Sequence, residues 1–343
     1  MNYLTLFLGI GIILTAVYDL AFTTFSPDGA GVFTDFITKR SYNIFRRISS
    51  RTGSKKILEI AGTVSIGVIL TFWYLSIWLG GSLIICSDPG SVVNSDTLSP
   101  ASVAEKIYYT GFTLSTLGVG DFNAGTDGWR IFTILLSFIG FALITTGISY
   151  MVPVLSASVN QRKLGNYISI LGNNPQDILF NHWREGNFEG LEKHFGTLTE
   201  MIVTHSQQIA VYPVLYCFYT EDPRKAGLLN LFRMDEALTI LLLDIPAKNR
   251  PNEQSIRLLR ESITYYLTIR KEFFSGREPE EPDIPQLNSL KKTGIPLLHD
   301  QDGRREAYKE FSARRKLLAA ILKDQGRSFG DVYRERTEHR LDL

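Results

Sequence analysis

The stretch Thr113-Leu114-Ser115-Thr116-Leu117-Gly118-Val119-Gly120-Asp121 carries the most chemistry in the chain. Two glycines alternate with apolar residues, a threonine precedes them, and an aspartate follows at once. Glycine adopts backbone conformations that other residues resist, so the pattern can point backbone carbonyls along one axis. A ring of such carbonyls replaces the hydration shell of a cation, and a ring of carboxylates beyond it concentrates cations. That chemistry is ion coordination, without bond making. The surrounding run Ile107–Gly120 is 14 residues without a charge. It is too short to span a bilayer, and a length of about 10–14 residues suits a re-entrant segment. Non-helical backbone at membrane depth survives only where it is enclosed by protein or lines a water-filled path.

Several elements must hold this loop. Ser99-Pro100-Ala101-Ser102 reads as a helix start, with a helix over Val103–Leu114. Glu105 in the first turn suits the positive end of the helix dipole, and the negative end then faces the ion path. Three apolar stretches flank the loop: Asn2–Phe25, broken only by Asp19, then Ile60–Ser87 with no charge over 28 residues, and Ile131–Gln161 with none over 31. A span needs about 20 residues. The N-terminal stretch lacks a basic leader and a small-residue cleavage site, so it reads as a retained span.

Orientation follows from Lys and Arg. The linker 26–56 holds Lys39, Arg40, Arg46, Arg47, Arg51, Lys55 and Lys56 against Asp28 and Asp35. It is expected on the cytoplasmic side. The N-terminus then lies outside, the short loop enters from outside, and the tail after the third span is cytoplasmic. The localisation this implies is a multi-pass protein of the cell (inner) membrane. Residues 32–52 alternate apolar and basic positions as a surface helix does. Contact with anionic lipid and a simple retention signal explain those charges equally well. Asp19 is expected at the interface, reaching headgroups or pairing with linker Arg or Lys. Tyr3, Trp78, Trp129 and Tyr150 are candidate interfacial anchors, whereas Trp73 and Tyr74 fall mid-span and suit packing.

With its order of outer helix, pore helix, Thr-Leu-Gly-Val-Gly-Asp and inner helix, the segment 57–157 resembles the pore of the potassium channel superfamily, whose usual filter is Thr-Val-Gly-Tyr-Gly-Asp. The resemblance implies that Thr116, Leu117, Gly118, Val119 and Gly120 line a selectivity filter holding potassium ions, with Asp121 at the outer mouth. It implies support of the filter by Thr113 and by the aromatic pair Tyr108 and Tyr109. It also implies a gating hinge at Gly140, 20 residues after Gly120, and a second at Gly147, one heptad later. Close helix packing is the other reason for glycines there. Leu117 replaces the usual Val, and Val119 the usual Tyr. A smaller residue at 119 leaves a looser filter open, and with it a weakly selective cation channel. One chain supplies one loop, so a pore of four loops requires a homotetramer with cyclic symmetry. Pro153 is expected to kink or end the inner helix. No span repeats arginine at every third position, as a voltage sensor requires.

The charges divide the chain. Residues 1–157 hold nine basic and nine acidic residues, and 158–343 hold the other 27 and 26. The second part is large enough for a domain of its own, and its near neutrality argues against a nucleic-acid partner. Helical apolar spacing covers Ile178–Trp183, Leu191–Ile209, Ala226–Leu243, Ser255–Phe274 and Arg304–Leu322. Ser275–Pro285 reads as a loop, little regular structure is expected from there to Gln301, and the charged C-terminus from Ser328 on reads as loose. No dinucleotide fingerprint, nucleophile–base arrangement or metal spacing is present; His182, His194 and His205 are 12 and 11 apart. Cys86 and Cys217 fall on opposite sides of the expected membrane, so they cannot pair within one chain, and a bond from Cys86 to a neighbouring subunit stays open.

The whole reads as an all-α membrane protein: an N-terminal span and basic linker (1–56), a pore domain (57–157) and a helical cytoplasmic domain (158–343). That last domain would gate the pore, assemble the tetramer or bind an unknown ligand or protein. The expected function is potassium-preferring cation flow, with no enzymatic activity and no cofactor beyond the ions. The alternatives are a weakly selective channel and a non-conducting membrane sensor that uses the pore as a scaffold.

Overall fold

The computed structural model describes residues 1–272, 281–298 and 301–334. They form two compact units. An apolar unit comprises Met1–Ile44, Ala61–Leu155 and Val211–Cys217, and a polar unit comprises Phe45–Ile60, Ser156–Ala210 and the chain from Phe218 onward. The elements begin α1 (Tyr3–Phe25), α2 (Val32–Thr52), α3 (Lys56–Glu59), α4 (Ala61–Cys86), β1 (Val92–Asn94), α5 (Val103–Leu114), β2 (Phe122–Ala124) and α6 (Asp127–Leu171). Among the described residues α1, α4 and α6 are long and apolar enough to cross a membrane. The protein is an all-α membrane protein, apart from the short antiparallel ribbon β1–β2.

Helix α1 packs along α4. At their closest approach Gly9 faces Gly80, and a Cβ on either would sit 2.6–2.8 Å from the other's carbonyl oxygen. Small residues let apolar helices meet at backbone distance, the usual contact in a membrane.

Asp19 is enclosed by the protein and does not reach out to headgroups or to linker Arg or Lys. It is 1% exposed, between α1, α2 and α4. Its Oδ1 accepts from the backbone N–H of Phe33 at 2.9 Å and of Thr34 at 3.4 Å, and its Oδ2 from Thr34 Oγ1 at 2.6 Å and Trp73 Nε1 at 2.9 Å. It pairs with no Arg or Lys among the described residues. The first N–H groups of a helix lack intrahelical acceptors, and Asp19 supplies one for α2 from another helix. The mid-span Trp73 is its fourth donor, which fixes that buried indole.

Pro153 does not end the inner helix. Helix α6 runs on through it to Leu171, 45 residues in all. A proline removes one helix hydrogen bond, and buried neighbours such as Val154 and Ala157 keep the next turn in place.

The polar unit continues with α7 (Pro175–His182), α8 (Glu189–Glu192), α9 (Phe195–Val211), α10 (Gly227–Asp244), α11 (Glu253–Glu272), α12 (Asn288–Lys292), α13 (Gln301–Lys309), α14 (Ser312–Asp324) and α15 (Gly330–Tyr333). Helix α10 is buried nearly throughout, charges included. Asp235 pairs with Arg314 at 2.6 Å and Arg260 at 3.3 Å, Glu236 with Arg315 at 3.1 Å, and Asp244 with Arg304 at 2.6 Å. Buried charges persist only when paired and hydrogen-bonded. Two expectations change here. Tyr333 donates its hydroxyl to buried Glu236, so the chain after Ser328 is ordered through α15. The region before Gln301 contains α12, and within Ser275–Pro285 the residues 275–280 lie outside the described residues, as do Phe274 and everything after Arg334.

His182 and His194, 12 residues apart in sequence, meet with ring centroids 5.5 Å apart. Each ring Nδ1 has a partner, Ile178 O for His182 and Tyr167 Oη for His194, both at 2.8 Å. Among the described residues no group of His, Cys, Asp and Glu suits a metal. Neither cysteine forms a disulfide within the chain, and buried Cys217 donates its thiol to Thr38 O at 3.7 Å.

Candidate ion pathway

The pore helix α5 spans Val103–Leu114 as its start signals require. Ser102 Oγ accepts from the Glu105 N–H at 3.4 Å, and Glu105 Oε2 accepts from the Ser102 N–H at 2.7 Å. This capping box satisfies two orphan donors at once. Lys106 is buried and donates its ammonium to the carbonyls of Asp88 at 2.7 Å and Pro89 at 3.0 Å. Trp78 of α4 donates to Ile107 O at 3.1 Å, and Tyr109 exchanges a 2.7 Å hydrogen bond with Thr133 of α6. Helix α5 is thus tied to the helix before it and the helix after it.

At its far end the backbone turns sharply. Thr116 N–H donates to Thr113 O at 3.0 Å, and Leu117 N–H to Phe112 O at 2.9 Å. Then the hand of the backbone alternates. Thr116 has φ +58°, Gly118 +58° and Gly120 +90°, while Leu117 and Val119 keep ordinary negative values. In an ordinary strand successive residues face opposite ways. Inverting every second residue cancels that alternation and turns successive carbonyls to one side. Glycine takes the inverted hand without penalty. A β-branched threonine does not, and holding it there costs about 1–3 kcal/mol. Residues 115–121 are all exposed, with Leu117 71% and Val119 49% open. Within one chain nothing covers this strip.

The end of the strip at Gly120 and Asp121 is held by residues that sequence patterns did not single out. Ser95 donates its hydroxyl to Gly120 O at 2.6 Å and its N–H to Asp121 O at 3.0 Å, and Asn123 donates to Ser95 Oγ at 3.0 Å. The ribbon pairs Val92 with Ala124, Val93 with Asn123 and Asn94 with Phe122, so the chain leaving the strip is bound to the chain entering α5. Trp129 Nε1 donates to Asp88 Oδ2 at 2.8 Å and holds that carboxyl below the usual carboxylate range. A serine in a polar loop gives no pattern to find; Trp129 was legible only as an anchor.

Of the expected supporting residues, Tyr109 and Thr113 are buried in the chain. Tyr109 reaches Thr133 and stacks edge-on to Phe112. Tyr108 is half-open and stacks edge-on to Phe112 and Phe122. Gly140 lies against the last residue of α5: a Cβ there would fall 1.8 Å from Leu114 O. At Gly147 a Cβ would meet only the end of Leu70, at 3.0 Å.

Residues 68–157 match the family model described as ion channel. Over its length the chain is similar to the uncharacterized membrane protein YdjJ of Bacillus subtilis (strain 168), 28% identical over 331 residues that make up 96% of each chain. No solved structure matches. The match falls on α4, α5, the alternating strip and α6.

Proposed function

We propose that the chain assembles as a homotetramer around the strip 116–120 and conducts cations with a preference for potassium. The alternation of backbone hand at Thr116, Gly118 and Gly120 carries this reading. It supports carbonyls aimed one way along a segment that one chain leaves uncovered. Four copies around an axis close a ring of oxygens able to replace a hydration shell. Asp121 supplies a carboxylate ring at the mouth. The exposed apolar stripe Ile131, Ile134, Phe138, Phe141, Ile148 and Val152 on α6 suits neighbouring copies and lipid.

Seven basic residues against two acidic ones in the linker support a cytoplasmic linker and tail in the cell membrane. In this reading the polar unit, which continues the chain from α6, controls gating. Val119 in place of an aromatic favours one second reading, a weakly selective filter.

Flux of potassium from proteoliposomes tests the conduction. The wild type should pass ions, and Gly118→Ala, which strains the inverted backbone, should not. Equal absence of flux in both proteins, with the tetramer intact, would favour a scaffold.

A further inference from the structure

Within the polar unit a cavity of about 220 Å³ is lined by five cationic side chains, Lys55, Arg224, Arg233, Arg327 and Arg334. Against them its walls carry only Glu221 and Asp331, which leaves three positive charges in excess. Some of the five are balanced locally. Arg334 pairs with Asp331 at 3.4 Å, and Arg224 with Asp222, just outside the lining, at 3.4 Å.

Arg327 is different. It is 9% exposed, and its Nη2 donates to the backbone carbonyls of Thr220 at 2.7 Å and Glu221 at 3.5 Å. Its guanidinium lies over the Tyr219 ring, 5.2 Å from the centroid. Among the described residues no carboxylate forms an ion pair with it. A buried cation held only by carbonyls and a ring keeps an unmet demand for a counter-charge. The rest of the wall is set around that demand: Arg233, itself buried, is fixed by bonds to Asn230 Oδ1 and Asp331 O at 3.0 and 3.2 Å, and Lys55 comes from the turn that precedes α3.

We infer that this cavity binds a phosphate-bearing anion. Several guanidinium groups and one ammonium lining one cavity match the multiple acceptor oxygens of a phosphate, which arginine grips in bidentate fashion and lysine as a point charge. The volume is below the 300–1,000 Å³ or so usual for whole drug-sized ligands. It therefore receives the charged head of a ligand, with any larger remainder outside. A soluble phosphorylated metabolite and an anionic lipid headgroup present the same chemistry. The inference rests on the polar unit alone and stands whether or not the pore conducts.

The test is titration of the full-length protein in detergent with inorganic pyrophosphate, at ionic strength held constant with chloride, and separately with micelles doped with phosphatidic acid or phosphatidylcholine. Saturable pyrophosphate binding, weakened about tenfold in Lys55→Gln and in Arg224→Gln, is expected for a soluble ligand. Binding of phosphatidic acid but not of pyrophosphate, with the same loss in both variants, identifies a lipid headgroup. Both variants change partly exposed side chains, and unaltered melting without ligand verifies their fold. Arg327→Lys, which keeps the charge but loses the fork, should weaken binding as well. Binding of neither probe, or equal affinity in wild type and all variants, overturns the inference.

Discussion

Gly140 of the inner helix lies against the carbonyl oxygen of Leu114, the last residue of the pore helix, so closely that a Cβ would fall 1.8 Å away. The two helices meet there at backbone distance. This contact accounts for the glycine without any bending. Gly140→Ala must push the backbones apart, an overpacking that costs about 1–3 kcal/mol. Lower melting of the assembled protein in detergent, together with lost ion flux, is the expected outcome. Gly147→Ala meets only the flexible end of Leu70 and should change melting little. If Gly140→Ala altered opening while melting stayed at the wild-type value, a hinge would replace the contact as its role.

Asp19 joins three helices through four accepted hydrogen bonds. Replacing it leaves buried donors on Trp73 and Thr34 without an acceptor, at about 1–3 kcal/mol each. Asp19→Ala should lower melting most, Asp19→Asn less because one acceptor oxygen remains, and Trp73→Phe least. Equal melting of Asp19→Ala and wild type would contradict the buried junction.

Gly118 has no neighbour within 4 Å where a Cβ would stand, but its φ is +58°. Alanine there costs about 1 kcal/mol through backbone strain alone. Gly118→Ala should leave melting nearly unchanged and reduce ion flux sharply. Asp121→Asn should lower flux most at low salt, where a ring of carboxylates concentrates cations over a longer Debye length.

His205 is fully buried in the polar unit, stacked on Tyr266 with ring centroids 5.8 Å apart, and neither ring nitrogen has a hydrogen-bond partner. Burial first, and then the Arg270 charge, push its pKa down to about 3. The unfolded chain takes up this proton near the ordinary value of about 6.5. The unfolded state then binds more protons below that pH, so stability falls as pH drops from about 6.5 toward 3. At pH 5 the loss is about 2 kcal/mol. His205→Phe should remove that part of the pH dependence in melting curves between pH 7 and 5; an unchanged slope would show that His205 is not its source.

Helix α5 and the turn of the backbone after it were legible because their signals are local. Ser102 and Glu105 cap the helix that their spacing announces, and the glycines at 118 and 120 take the positive φ that only glycine adopts freely. What stayed hidden depends on distant partners. Asp19 lies 54 residues from Trp73, and nothing near either residue in sequence reveals that they bond. Ser95 looks like any loop serine until the ribbon brings it to Gly120. In the polar unit, helical spacing located α10 but could not tell that its charged face is buried, because Arg260, Arg304, Arg314 and Arg315 come from later segments. Pro153 suggested a helix that kinks or ends there; the helix does not end, because a proline removes only one of its hydrogen bonds.

The most direct measurement is a planar-bilayer recording of the purified protein with potassium on one side and sodium on the other. A reversal potential displaced strongly toward the potassium equilibrium value is the predicted result. A clear current reversing near zero would contradict potassium preference and trace it to Val119, which Val119→Tyr should then correct. No current, with the tetramer intact, would contradict conduction itself.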